Sequence, residues 1–228
     1  MKHLKFLVVL CILFGCTVAH GQEGETTKLS PKEKDAIKTG IKELVNQFND
    51  KLTEIWRRPN DVDKLDLKKF DRQKKLYVKE ALAMFANNGD AWYSYDTVSR
   101  LRNGRYEKYI DSTLLRGPAR IETTSKKRPR PYSQPVKTYL TKAANSGYDS
   151  VKVTSGDAWY CSDLKKVADG VYEATLSYTQ TFAAYNGEGR MVYGDKVTKT
   201  IKAYAFRTVI LDEVVWKLAL GDIKAVEW

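Results

Sequence analysis

The chain has 228 residues, 39 of them Lys or Arg against 28 Asp or Glu, giving a formal charge of +11. A hydrophobic fraction of 43% and a mean hydropathy of −0.49 exclude wholesale disorder, collagen-like repeats and a multi-span membrane protein. Enough apolar surface is present for one sizeable core.

Residues 1–21 carry Lys2, His3 and Lys5, an apolar run over 6–14, and small residues around Ala19 and Gly21. A charged, then apolar, then small-residue order predicts an export signal removed after Gly21, with 22–29 as a flexible lead-in. The run is shorter than the roughly 17–25 apolar residues that span a bilayer. A competing reading starts from Leu13-Phe14-Gly15-Cys16, which resembles a bacterial lipoprotein box with an acylated Cys16 as the mature N-terminus. The expected location is therefore periplasmic or secreted, or alternatively a membrane-anchored lipoprotein.

Processing decides the available chemistry. Cut after Gly21, the chain keeps Cys161 alone of Cys11, Cys16 and Cys161, so no intramolecular disulfide is expected. Both histidines, His3 and His20, leave with the signal. A chain without imidazole has no Ser-His-Asp or Cys-His chemistry and no His-ligated zinc. No metal site and no cofactor are expected.

The mature chain opens at Ser30-Pro31-Lys32-Glu33, a capping box with Pro at the first helical position. Ile37, Ile41, Leu44, Phe48, Leu52 and Ile55 follow at steps of three and four and predict an amphipathic helix stopped by Pro59. A second helix is predicted over 66–87, with Phe70, Tyr77, Ala81, Met84 and Phe85 inward and Asn87-Asn88-Gly89 as its stop. Beyond it lie 13 of the 14 tyrosines, and aromatic and β-branched enrichment favours strands. One strand is expected at 91–101, turning at Asn103-Gly104. A third helix is read over 134–145. Long strands follow at 148–161, 170–185, 191–209 and 214–227, with connections short enough to require antiparallel neighbours. Gly89-Asp90-Ala91-Trp92-Tyr93 recurs as Gly156-Asp157-Ala158-Trp159-Tyr160. It is read as a Gly-Asp turn entering an aromatic strand twice.

This α+β order, with Phe85-Ala86-Asn87-Asn88-Gly89-Asp90-Ala91-Trp92 closing the second helix and Trp216 to Ile223 in the last strand, resembles the nuclear transport factor 2-like (SnoaL-like) superfamily. The resemblance covers 30–228 as a single domain with an insertion at about 99–133. It implies N-terminal helices packed on a curved antiparallel sheet, a cystatin-like half-barrel with a pocket, and sometimes a homodimer formed through the sheet. Family members include isomerases and dehydratases as well as proteins that only bind, so the fold does not select a reaction. The pocket would be lined by Trp92, Asp96, Tyr178, Tyr204 and Trp216, with Tyr178, Tyr204 and Trp216 on one concave face. Core packing explains these residues equally well. An isomerase-like use of Asp96, Tyr178 and Tyr204 is the alternative.

Residues 99–137 hold eleven basic side chains against Glu107, Asp111 and Glu122. Within them, Lys126-Lys127-Arg128-Pro129-Arg130-Pro131 is expected to be an extended exposed loop, because the prolines forbid helix and disfavour a paired strand. In an exported protein, Lys126, Lys127, Arg128 and Arg130 would meet an anionic glycan, a lipid headgroup or an acidic envelope protein rather than nucleic acid. A merely solvated loop is the other reading. The sequence thus predicts an exported, non-enzymatic binding or assembly protein of the cell envelope that takes a small apolar ligand or an anionic partner. An Asp/Tyr enzyme and a structural subunit of an envelope complex are the alternatives.

Overall fold

Ser30 caps the first helix as expected: its Oγ accepts from the Glu33 amide at 3.2 Å, and Glu33 Oε2 accepts from the Ser30 amide at 2.8 Å. A computed structural model of the chain describes residues 29–57, 67–86, 97–102, 105–110, 118–145, 147–168, 170–210 and 213–228. The segment expected to be an export signal, with Cys16, and the stretch 87–96 with Trp92 and Asp96 lie outside these residues. Helix α1 runs Pro31–Trp56 and buries Ile37, Ile41, Val45, Phe48, Leu52 and Ile55 along one stripe. Removing such side chains from water contributes about 1.5–3 kcal/mol each. Helix α2, Leu67–Leu82, lies against α1, where Lys51 pairs with Glu80 at 2.5 Å.

Strands β1 (Thr97–Arg102) and β2 (Arg105–Ile110) form a hairpin whose register pairs Arg102 with Arg105, on either side of Asn103-Gly104. Strands β3 (Arg120–Ser125) and β4 (Arg128–Pro135) and helix α3 (Val136–Asn145) follow. Then come β5 (Ser150–Cys161), β6 (Lys165–Ala168), β7 (Val171–Tyr185), β8 (Met191–Ile210) and β9 (Glu213–Glu227). The larger sheet has the order β4-β3-β9-β8-β7-β5, with β6 also paired to β7. It is open and largely antiparallel, and β3 runs parallel to β9. Three helices packed on this sheet make the architecture α+β.

Two expectations are corrected here. The basic segment is not an unpaired loop: Lys126 and Lys127 form a turn, and β4 pairs antiparallel with β3. Pro129 and Pro131 are accommodated because β4 is the sheet edge and the register shifts opposite Thr124, so neither missing N–H interrupts a central ladder. Gly156-Asp157 does not turn the chain into a strand. It sits within β5, where the register jumps between Ser155 and Trp159, as a bulge opposite Thr179.

The core lies on one face of the sheet. Along β7, Ala174, Leu176, Tyr178 and Gln180 are buried while Thr175, Ser177, Thr179 and Thr181 point the other way. Across β8 their partners are Ala203, Ile201, Lys199 and Val197. A bulge at Gly221-Asp222 keeps both Leu220 and Ile223 of β9 turned to the same side. The opposite face carries a smaller cluster of Val171, Tyr204, Phe206 and Ala219 with Ala86.

Candidate functional site

The structure separates the residues expected to share a concave face. Tyr178 lies on the helix-covered face, and Tyr204, out of phase with Ala203 and Ala205, lies in the cluster on the other side. They cannot converge on one ligand, so the expectation of a common face for Tyr178 and Tyr204 is corrected. Tyr178 is also committed: its hydroxyl donates to Asn49 Oδ1 at 3.1 Å, and its ring stacks on Trp159 at 4.2 Å. Asn49 Oδ1 accepts a second bond from the Gln180 amide at 2.8 Å, and Asn49 Nδ2 donates to Ser155 Oγ at 3.2 Å. This is a satisfied network that fixes α1 over β5 and β7. Trp216 shares the helix-covered face with Tyr178 and packs edge-on against Tyr172 at 5.7 Å. Cys161 is a free, half-buried thiol, pushed above its ordinary pKa by burial despite the opposing pull of Lys38.

A different constellation gathers at one end of the helix-covered face. Trp56, the last residue of α1, meets Tyr139 of α3 at 6.2 Å, Tyr148 at 6.0 Å and Phe182 of β7 at 5.5 Å. Phe182 in turn meets Tyr193 of β8 at 5.9 Å. The local chain places these rings for simple reasons. Tyr148 donates its amide to the Trp56 carbonyl at 3.3 Å, which ties the end of α1 to the entry of β5. Phe182 and Asp195 are cross-strand partners, and Tyr193, Asp195 and Lys199 occupy alternate positions of β8 on the same face. All five rings remain partly exposed.

The polar groups of this end are strongly perturbed. Burial pushes the Tyr139 phenol up to about 12, against the opposing hydrogen bond from Trp56. Tyr193 donates to Asp195 Oδ2 at 2.9 Å. Burial holds the Asp195 carboxyl above its ordinary value, a shift that this hydrogen bond moderates and Glu227 reinforces. The Tyr193 phenol is raised in turn, first by burial and then by Asp195. Lys199 is 4% exposed. Burial lowers its ammonium to about 8, with Asp195 acting in the opposite direction. Four residues along a strand is ~13 Å, so Asp195 acts on Lys199 through space and not as an ion pair. Among the described residues the Lys199 ammonium has neither a hydrogen bond nor an ion pair.

The residues chosen from sequence thus do not define this site, although Tyr178 borders it as the cross-strand partner of Lys199. One signal was available. In Val197-x-Lys199-x-Ile201-x-Ala203 a lysine stands in phase with apolar residues, which is the mark of a charge turned inward.

Two further surfaces are formed. The β5 bulge and the outer face of β7 and β8 enclose a polar depression of about 350 Å³ lined by Thr154, Ser155, Asp157, Thr179, Thr181 and Lys196. At the β3–β4 turn, Lys126, Lys127 and Arg130 are exposed and their side chains form no ion pair among the described residues. Among the described residues no group of three His, Cys, Asp or Glu is placed to hold a metal ion. None of their helices is long and apolar enough to cross a membrane. No protein-family model matches the chain, and no curated protein matches it.

Proposed function

We propose that this is an exported, non-enzymatic binding protein of the cell envelope, built as a nuclear transport factor 2-like half-barrel, whose small ligand is held at the aromatic end of the helix-covered sheet face. The carrying observation is the convergence of Trp56, Tyr139, Tyr148, Phe182 and Tyr193, all partly exposed, from α1, α3, the entry of β5, β7 and β8. Aromatic side chains present large rigid apolar surfaces at low entropic cost, and a ring of them around a few polar groups is the usual composition of a small-molecule site. The order of two helices, two hairpins, third helix and closing antiparallel strands supports the half-barrel reading.

The test is binding of N-phenyl-1-naphthylamine, a neutral aromatic probe, followed by its fluorescence. Phe182→Ala is expected to weaken binding by about tenfold, the loss of roughly 1.4 kcal/mol. Tyr160→Ala, which alters an exposed ring elsewhere on β5, leaves it unchanged. Absence of probe binding, or equal effects of the two substitutions, removes the proposal. Steady isomerase turnover abolished by Asp195→Asn would instead promote an Asp/Tyr enzyme at this same end.

A second reading concerns the β3–β4 turn. Lys126, Lys127 and Arg130, exposed and not paired to neighbouring acids, suit contact with an anionic envelope partner.

A further inference from the structure

We propose that Lys199 is the anion-recognition residue of the aromatic site, so that the ligand carries a single oxyanion, such as a carboxylate, on an aromatic or apolar body. The inference rests on the reading of the aromatic end as a ligand site and adds the charge of the ligand to it.

A buried ammonium without a partner is costly, because it gives up hydration and gains nothing in exchange. Lys199 comes close to that position: the residue is 4% exposed, and its ammonium keeps only a residual contact with solvent and has no partner among the described residues. Its cross-strand neighbour on β7 is Tyr178, whose hydroxyl is already given to Asn49, and its neighbour on β9 is Ala225, which brings only a methyl group. Gln180, the next polar side chain on β7, gives its amide to the same Asn49 oxygen. Asp195 accepts from Tyr193, and Glu227 pairs in register with Val197 and not with Lys199. Among the described residues the protein therefore supplies shape and, beyond the more distant Asp195, no compensation for the cation. A Met or Leu would fill the same volume without the desolvation cost, so a lysine here is suited to a counter-group brought from outside.

The chemistry of that group follows from the neighbourhood. One cation with Asp195 and Glu227 close along the sheet favours a monoanion and disfavours a phosphate dianion or a polyanionic chain. The five rings lie on the Asp195 side of Lys199, so the oxyanion would reach Lys199 and the apolar body would rest on Phe182 and Tyr193. The ammonium is lowered to about 8, and it therefore stays mostly protonated at neutral pH and acts as a cation there.

The experiment compares two probes on the full chain: 1-anilinonaphthalene-8-sulfonate, and N-phenyl-1-naphthylamine, which has the same rings without the sulfonate. The wild-type chain is expected to bind the sulfonate more tightly. Lys199→Met should weaken the sulfonate by at least about tenfold, the scale of one charge-assisted hydrogen bond, and alter the neutral probe less than about twofold. Lys199→Gln provides a second uncharged side chain should the Met variant not fold. Competition on the unmodified chain gives a further reading, with 2-naphthoate expected to displace the neutral probe better than 2-naphthylmethanol. Equal affinity for both probes, or a sulfonate preference that survives Lys199→Met, overturns the role of Lys199 and leaves the aromatic site standing. Failure of both probes to bind overturns the aromatic site and this inference together.

Discussion

A hydrogen atom in place of a methyl group at position 221 is what allows Tyr204 to lie against β9. A Cβ built on Gly221 would stand 2.4 Å from Tyr204 Cε2, far inside van der Waals contact. Tyr204 is 2% exposed and packed with Phe206 and Ala219, so its ring has little room to retreat. Gly221→Ala is therefore expected to destabilise the fold by about 1–3 kcal/mol, as overpacking of a core does. Urea denaturation measures it. Adding Tyr204→Leu should recover part of the loss, since residues in contact are not additive. An unchanged midpoint for Gly221→Ala would mean that the ring is free to move. Asn49 makes the complementary point: one side chain satisfies Tyr178, Gln180 and Ser155.

At the scale of elements, the helices were legible because their signals are local. Helix α2 nonetheless ends at Leu82, short of the stop expected at Asn87-Asn88-Gly89, because Met84 and Phe85 leave the helix to pair with Leu220 of β9. The Ser30 capping box and the three- and four-residue steps from Ile37 to Ile55 specify α1 without reference to anything distant, and α1 spans Pro31–Trp56. The four closing strands were legible for the same reason. Their short connections also gave the antiparallel β7–β8 and β8–β9 pairs; what sequence could not supply was register and the identity of the edge strand. Pro129 and Pro131 argued against a strand until β4 proved to be an edge. Tyr178 and Tyr204 looked equivalent until the β7–β8 register put them on opposite faces. The aromatic site draws Trp56, Tyr139, Tyr148, Phe182 and Tyr193 from separate elements, so no spacing along the chain announces it. The β3–β4 hairpin carries its own prediction. Neutralising Lys126, Lys127, Arg128 and Arg130 together should weaken retention on a heparin column and flatten its dependence on salt. Stability should stay within about 0.5 kcal/mol, because Lys126, Lys127 and Arg130 are exposed and form no ion pair among the described residues. Retention with an unchanged salt dependence would return the turn to a role in solubility alone.

At the scale of the molecule, four buried polar side chains among the described residues, Asn49, Lys74, Gln180 and Lys199, interrupt an otherwise apolar interior. Two are lysines, and they are handled differently. Lys74 of α2 donates to the carbonyl oxygens of Glu54, Ile55 and Arg57, closing the C-terminal end of α1. Lys199 has no such partner among the described residues. Burial lowers both ammonium groups from 10.5 to about 8. Between these values the unfolded chain holds protons that the folded chain has released, so stability must rise with pH over that interval. Other groups reverse the trend at higher pH. The Cys161 thiol, raised from 9.0, and the phenols of Tyr139 and Tyr178, raised from 10.0, keep protons in the folded chain that the unfolded chain gives up. The expected profile therefore climbs from pH 7 to 9 and falls again above about 10, the ordinary range in which tyrosines titrate. Urea midpoints measured at pH 7, 8, 9, 10 and 11 trace it, with Lys199→Met as the control. That variant should be less pH-dependent between 7 and 9, because one of the two released protons is gone. A wild-type midpoint that falls steadily from pH 7 would mean that the two lysines are solvated in the folded chain, and a Lys199→Met profile parallel to wild type would mean the same for Lys199 alone.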